Sequence, residues 1–421
     1  MLNRYDRNKK KILNDPVYGF ISITDDLIFD LIEHKYLQRL RRIKQLGLTH
    51  LVYPGALHTR FHHVIGTMHL MQKTIDILKS KGHAISADET KGALIAILLH
   101  DIGHGPYSHT LEKSIVCEPD HEVLSLIFMR KLQESFGDPL ALAIEIFSNK
   151  YKKKFLHKLV SSQLDMDRLD YLKRDSFYTG VSEGVINTDR IITMLDIAND
   201  GPVIEAKGIY SIEKFIIARR LMYWQVYLHK TVLAAEQMLI QIIARAKYLI
   251  ANGETLFATD PFKLFLAKNV IREDFNSSPQ YLEAFAEIDD YDVFTSIKVW
   301  VKHKDKVLST LCNNLVNRHL FRTHIQKIPF QPAYIEEVKS EVMKLYDIDF
   351  ADTRYFVFTD VAKNSAYDPL NDKINIIFKD GRVEDITRAS DQLNVEVLSK
   401  TVTKFYLCHP KQIEAVNNSV L

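Results

Sequence analysis

Residues 89–102, ETKGALIAILLHDI, constrain this chain more than any other stretch: they encode a segment apolar nearly all round that closes on a histidine and an aspartate. A helix with one apolar face can lie on a surface, whereas a helix apolar on every side needs neighbours on every side. The segment therefore reads as a buried helix inside a helical bundle. An aspartate at the end of such a helix is costly unless it is paired or bound to a cation. Taken alone, His100-Asp101 also suits a solvated helix end, with His100 hydrogen-bonded in the core. The rest of the chain has to decide.

From about Leu27 to Ile250 the periodicity is mostly helical. In 59–80, Phe61, Val64, Ile65, Met68, Met71, Ile75 and Leu78 recur at steps of three and four, one face of an amphipathic helix. Segments 122–136, 156–175, 211–251 and 332–346 also predict helix. Before them, KILNDPVYGFISIT alternates around Asp15-Pro16 and Gly19 and suits a short hairpin. Beyond 345 the character changes. YFVFTDV (355–361), KINIIFKDG (373–381), VEVLSK (395–400) and KFYLCH (404–409) are β-rich runs separated by turn residues. The expected organisation is an extended segment at 1–25, a catalytic core at 26–254, a helical connector at 255–344 and a small α+β unit at 345–421. The fold class expected is mainly α.

With 421 residues, 55 basic and 53 acidic side chains, the chain has a formal net charge of +2. That balance argues against a dedicated nucleic-acid binder. The N-terminus is polar and basic without an apolar core, and no run approaches the ~18 apolar residues of a membrane span. Cys117, Cys312 and Cys408 are too few and too widely spaced for a disulfide framework, so they read as reduced thiols of a cytoplasmic protein.

Nine of the 17 histidines fall between 58 and 121, which directs attention to their local contexts. In KLVSSQLDMDRLDYLKRD, the residues Val160, Leu164, Asp167, Tyr171 and Asp175 step by four, three, four and four. This spacing predicts a core-facing stripe that carries Asp167, with Asp165 and Asp170 off it and solvated or salt-bridged. In RFHHVIGTMH, His63 sits in the first turn of a core helix. Two imidazoles and two carboxylates, His63, His100, Asp101 and Asp167, suit Mn, Fe, Ni or Zn better than Mg or Ca.

The order His63, His100-Asp101, Asp167 resembles the pattern of the HD-domain metal-dependent phosphohydrolases. LVYPGALHTRFHHVIGTMH, LLHDIGHGPYSHTLE, LDMDRLDYLKRD and YLHK are similar to segments of the deoxynucleoside triphosphate triphosphohydrolases among them, a group that includes proteins joining a sterile-alpha-motif domain to an HD domain and their bacterial homologues. The likeness covers roughly residues 11–250 and weakens beyond. It implies an HD-domain helical bundle around a metal that activates water and polarises a phosphate. Attack at the α-phosphorus would release a deoxynucleoside and intact triphosphate. The resemblance implies His109 as proton donor to the leaving 5′-oxygen, with His104 and His121 as polyphosphate or relay neighbours. It implies Arg60, Arg168 and Arg219 as phosphate partners, with Mg accompanying the nucleotide phosphates. Gln45 and Asp175 would bind the 3′-hydroxyl, and Tyr171 and Tyr227 would wall off a 2′-hydroxyl. Tyr223 stands where the family pattern has a histidine.

The resemblance extends to regulation. Glu33, Gln38 and Arg41 look like a purine-reading effector set in which the usual aspartate has become glutamate. Lys11, Arg190, Lys207, His229 and Lys230 look like a phosphate-binding set between subunits, which implies a nucleotide effector and a homo-oligomer, dimer or tetramer. The plain alternative is that such charges solvate a surface. Competing functions are hydrolysis of cyclic dinucleotides or of guanosine tetraphosphate. A further one is a non-catalytic nucleotide sensor or nucleic-acid-binding module. The GYP segment diagnostic of the cyclic-dinucleotide branch is absent.

Overall fold

The computed structural model describes residues 11–116, 120–369, 372–390 and 400–413. The first ten residues of the expected N-terminal segment, Cys117, and residues 395–399 of the expected VEVLSK strand lie outside the described residues.

The fold is mainly α, with the sheets small and peripheral to a helical core. The chain opens with the expected hairpin, β1 (Lys11–Asp15) against β2 (Gly19–Ile23), antiparallel with Lys11 opposite Ile23. Its turn closes because Asp15 Oδ1 accepts the Val17 and Tyr18 N–H groups at 2.9 Å each. The apolar segment is helix Ala87–Leu99, started by reciprocal capping between Ser86 and Glu89. It packs between helix Arg60–Ser80 and helix Pro139–Phe147, and Ile95 through Leu99 are completely buried.

Two predicted helices prove to be interrupted. Segment 156–175 divides into Lys154–Val160 and Met166–Thr179. Asp165 makes the break: one carboxylate oxygen accepts the Arg168 N–H and the other the Ser162 N–H, each at 2.7 Å. Segment 211–251 divides into Ile209–Met222 and Lys230–Ala251, with a π-turn at Tyr223–Tyr227 between them. Such wide turns recur where a helix is bent to serve a site.

The sheets join distant parts of the sequence. A hairpin unforeseen in the sequence, β3 (Leu195–Ala198) and β4 (Gly201–Glu205), turns at Asn199 and Asp200, both with positive φ. The stretch 255–344 is helical except for β5 (Arg322–Gln326). Beyond it come β6 (Phe358–Asn364), β7 (Asn375–Ile377), β8 (Val383–Asp385) and β9 (Val402–His409). One sheet has the order β3-β4-β7-β8, with β4 and β7 parallel, and the other β5-β9-β6, antiparallel throughout. Both C-terminal sheets therefore share strands with earlier chain. No described helix is long and apolar enough to cross a membrane. Cys312 and Cys408 are buried free thiols.

Candidate metal centre and substrate cavity

Helix Arg60–Ser80 starts at Thr59, where the Thr59 N–H donates to His62 Nδ1 at 3.2 Å, and this start sets Arg60 and His63 in the first turn. His63 is fully buried, its Nδ1 2.7 Å from Asp170 Oδ2. His100 is buried at the end of its apolar helix, its Nδ1 2.6 Å from the Ile97 carbonyl oxygen. Those contacts fix both imidazoles with Nδ1 as the proton-bearing atom. Nε2 of each is buried and has no hydrogen-bond partner. The two nitrogens face one point, where carboxylates meet them.

Carboxylates surround that point. Asp101 Oδ1 is 3.3 Å from His100 Nε2, and Asp101 Oδ2 is 3.8 Å from His63 Nε2. Asp167 Oδ1 lies 3.0 Å from His63 Nε2 and 3.7 Å from His100 Nε2. Ligand atoms of His63, His100 and Asp101 all fall within 4.8 Å of one another. Burial opposes charge on His63, yet Asp167 and Asp170 hold its pKa up to about 10. His100 is likewise raised, Asp101 outweighing burial. The pocket is thus poised for positive charge, and the donor set fits a divalent cation whose imidazole ligands are oriented from behind.

Asp170 is salt-bridged, one of the two readings the sequence left open, but it lies on the core face of its helix and not off it. It is completely buried, and Arg174 grips it with two hydrogen bonds of 2.9 Å. Arg174 also reaches Asp15 Oδ2 at 2.7 Å, which ties the β1–β2 turn to the back of His63. Gly66 makes room for this pair: a Cβ there would come within 2.1 Å of Asp170 Oδ1 and 2.2 Å of an Arg174 nitrogen. The core face of this helix carries Met166, Leu169, Asp170 and Leu172, not the expected stripe from Val160. Asp167, Tyr171 and Asp175 do share a face, and that face lines a cavity.

The cavity encloses about 480 Å³. Asp101 and Asp167 line it, as do the expected residues Gln45, Arg60, His104, His109, His121, Arg168, Tyr171, Asp175 and Tyr227. Arg219 is not among its lining residues and donates to Gln163 Oε1 at 2.8 Å instead. Arg60 bridges two walls, with Nε on Ser108 Oγ at 2.7 Å and NH1 on Asp101. His104 and His121 stack at 4.0 Å, and His109 stands edge-on to both. Burial, reinforced by Arg60, presses the His109 pKa down to about 4. His121 is raised, because its contact with Glu112 at 2.9 Å outweighs burial.

At the far end of the cavity, Asp175 is held from both sides. Tyr227 donates to Oδ2 at 2.7 Å, and His58 Nε2 is 2.7 Å from Oδ1 with its ring stacked on Tyr178. Tyr171 and Tyr227 meet edge to face at 6.2 Å, and Tyr223 lies against Tyr227 at 5.1 Å. Sequence reasoning missed His58, although it belongs to the histidine-rich stretch, and Glu236. Glu236 lines the cavity, and its pKa is raised by burial to about 7. Nothing in the local sequence marks a mid-helix glutamate as a cavity residue.

The residues expected to bind an effector form local groups. Lys11 pairs with Glu33 at 2.6 Å; Arg41 donates to Gln38 Oε1 at 2.8 Å and lies 3.6 Å over the Phe61 ring. Arg190 donates to the Lys207 carbonyl at 3.0 Å. His229 caps the helix that Lys230 begins. Among the described residues, no hydrogen bond or ion pair joins one of these groups to another.

Comparison with known proteins adds to this geometry. Residues 60–175 match the HD domain family and residues 186–267 the HD associated region. A phosphohydrolase from Bacteroides thetaiotaomicron has a crystal structure that superposes with a TM-score of 0.92 and 51% identity, over 95% of this chain and 99% of that one. The chain belongs to the HD-domain phosphohydrolases. This HD-domain protein is also 32% identical to an uncharacterized protein of Bacillus subtilis, over 96% of the chain and 93% of that protein. It is 30% identical to the deoxynucleoside triphosphate triphosphohydrolase SAMHD1 homolog of Dictyostelium discoideum, over 68% of the chain and 60% of that protein. An HD-domain phosphohydrolase is a metal-dependent hydrolase, and His63, His100 and Asp101 are positioned as ligands of its divalent ion.

Proposed function

We propose that this phosphohydrolase cleaves deoxynucleoside triphosphates to deoxynucleoside and triphosphate. The observation that carries the reading is Asp175. A carboxylate held by His58 and Tyr227 stands in the same cavity as Asp101 and Asp167, with Tyr171 and Tyr227 as an aromatic wall beside it. That end suits a 3′-hydroxyl, and the aromatic faces of Tyr171 and Tyr227 beside it offer a 2′-hydroxyl no hydrogen bond. Gln45 is a second sugar contact. Asp167 completes the ligand set with His63, His100 and Asp101, for Mn, Fe, Ni or Zn.

When bound, the cation acidifies a water and withdraws charge from a phosphate oxygen. The chain's own residues do the rest. Arg60 and Arg168 hold the polyphosphate by their guanidinium forks; Arg219, turned to Gln163 in the free protein, joins them only by swinging inward. Mg accompanies the phosphates. His109 donates the proton to the leaving 5′-oxygen. Its depressed pKa belongs to the free cavity, where burial and then Arg60 disfavour the imidazolium; a bound polyphosphate opposes both by favouring the charged form. His121, with Glu112 behind it and His104 stacked on it, is the relay neighbour.

Regulation belongs to the same proposal. A purine nucleotide reads Glu33, Gln38 and Arg41, its phosphates engage Lys11, Arg190, Lys207, His229 and Lys230 from more than one subunit, and the active species is a dimer or tetramer. The compartment is the cytoplasm.

The test is product identity. Purified protein with Mn²⁺ is given dATP, dGTP, dCTP and dTTP singly and in pairs, and products are separated by ion-exchange chromatography. Deoxynucleoside with intact triphosphate is expected; dNDP with orthophosphate, or dNMP with pyrophosphate, rejects the assignment. Guanosine tetraphosphate, cyclic dinucleotides and oligonucleotides in parallel reactions test the competing readings.

A further inference from the structure

Asp290 lies beyond both matched family regions, at the first position of helix Asp290–Trp300. It is almost completely buried, and its carboxylate faces the catalytic side of the molecule. Oδ1 accepts the Tyr107 N–H at 2.9 Å. Oδ2 accepts the Lys44 N–H at 3.0 Å, with Lys44 Nζ at 3.5 Å. One carboxylate therefore joins two backbone segments that are far apart in sequence.

Each segment leads directly into the cavity. Lys44 precedes Gln45, and this strand-like stretch is zipped to the start of the His63 helix: Gln45 N–H donates to the His58 carbonyl at 3.0 Å and Arg60 N–H to the Ile43 carbonyl at 2.9 Å. Tyr107 precedes Ser108 and His109 and has φ of +48°, a left-handed conformation that a tyrosine adopts only against strain. Its N–H bond to Asp290 is what can hold it there. The strained turn launches helix Ser108–Ile115, and Ser108 Oγ then accepts Arg60 Nε, whose NH1 reaches the metal ligand Asp101. The two arms from Asp290 thus converge on Arg60, one through its backbone and one through its side chain.

We infer that Asp290 is a positioning residue for phosphoester hydrolysis: by clamping the Lys44 and Tyr107 backbones it sets Gln45, Arg60 and His109 in register with the metal centre. It touches neither substrate nor metal. The inference rests on the proposed triphosphohydrolase reading only for the natural substrate, because Arg60 serves any phosphoester cleaved beside Asp101. Asp290→Asn is the direct perturbation. The amide offers one acceptor to two N–H donors, so one arm is released while size and shape are kept.

The full-length protein loaded with Mn²⁺ is assayed on dGTP and on bis(4-nitrophenyl) phosphate, with rates expressed per bound metal. A misplacement of about 1 Å costs up to roughly a hundredfold, so kcat is expected to fall about 10- to 100-fold in D290N with KM changed by less than about threefold. The comparator is Asp289→Asn. Asp289 is also buried at the same helix start, but it holds the Arg42 side chain and caps its own helix, and the Lys44 and Tyr107 N–H groups donate to Asp290 instead. D289N is expected to keep its kcat per bound metal. Kinetics of D290N equal to wild type overturn the inference, and so does an equal kcat loss in D289N, which would make the effect one of helix stability. Should D290N not fold, Asp290→Glu, which keeps both acceptors but displaces them by a methylene, must show the same split. If wild type cleaves the ester but not dGTP, the deoxynucleotide reading fails while the Asp290 comparison is still decided on the ester.

Discussion

The substitution that most directly tests the metal centre is Asp170→Asn, at a residue that supports the ligand His63 from behind without facing the cation. Asp170 is fully buried, with Oδ2 2.7 Å from His63 Nδ1 and both oxygens bonded to Arg174 at 2.9 Å. Asparagine is nearly isosteric but has one acceptor and one donor end. If the amide oxygen faces His63, the NH2 group is thrust at the Arg174 N–H groups and the buried ion pair is lost. If the NH2 group faces His63 instead, it wants a lone pair on Nδ1, the ring proton moves to Nε2, and the atom aimed at the cation no longer has a free lone pair.

The two outcomes have different magnitudes. Losing one partner of a buried ion pair costs about 3–5 kcal/mol. Here Arg174 keeps Asp15 at 2.7 Å, so the lower end applies, about 3 kcal/mol. Losing the orientation behind a metal-bound histidine lowers metal affinity about 10- to 100-fold. Manganese affinity is measured by equilibrium dialysis in chelator-buffered solutions, and stability by thermal melts with and without metal. The expected result is a loss of affinity within that range, with less stabilisation by added metal than in wild type. A variant that melts lower but binds manganese within about twofold of wild type would refute the reasoning, since a correctly supported histidine accounts for at least tenfold. Asp170 would then only anchor Arg174. The carboxylate is held below the usual range because Arg174 and His63 outweigh burial. Its contribution is therefore present above about pH 4 and lost as pH falls through the depressed value, so the two proteins should converge in acid.

Other consequences can be measured on the same preparations. Glu236, raised by burial to about 7, destabilises the fold progressively as pH climbs from its ordinary value towards 7; Glu236→Gln should be about 1–2 kcal/mol more stable than wild type at pH 8 and indistinguishable at pH 4.5 in denaturant melts. Equal stability at both pH values would mean the carboxyl is solvated. ATP and GTP should be poorer substrates than dATP and dGTP by about 10- to 100-fold, because a 2′-hydroxyl against Tyr171 and Tyr227 loses water without a partner; equal rates in paired assays remove the sugar-wall argument. Arg41→Ala should abolish any activation of one dNTP by a second nucleotide while leaving manganese content unchanged, since Arg41 contacts Gln38 and Phe61 and no metal ligand. Undiminished activation, read alongside light scattering, would place the effector elsewhere.

The metal centre was legible where local pattern and burial coincide. His100-Asp101 taken alone also suited a solvated helix end, and it became readable as a site only beside the contexts of His63 and Asp167. Asp167 was singled out through a stripe that does not run along one helix: Val160 and Leu164 precede the helix start at Met166, and the core face includes Asp170. What survives is the four-residue step of Asp167, Tyr171 and Asp175, which needs only one helix to place them together. The hairpin at 195–205 was missed despite Asn199-Asp200-Gly201, a strong turn signal, because the flanking strands are short and lie within a helical region. His58, Asp170 and Asp290 were not legible as site residues. Each acts through a contact more than a hundred residues away, and such pairings are set by tertiary packing alone.

Those long-range contacts share a logic. Two buried imidazoles must present lone pairs to one cation, so each needs a fixed acceptor at its Nδ1, and the chain supplies them differently. His100 uses a carbonyl three residues back in its own helix, Ile97, an acceptor that comes with the helix itself. His63 uses Asp170 from another helix, and that carboxylate requires Arg174, which in turn requires Asp15 in the N-terminal turn and glycine at 66. The first ligand is therefore insensitive to distant structure, while the second reports on a relay running from the β1–β2 hairpin to the metal. Loosening that hairpin should therefore weaken the His63 side of the centre and leave His100 in place.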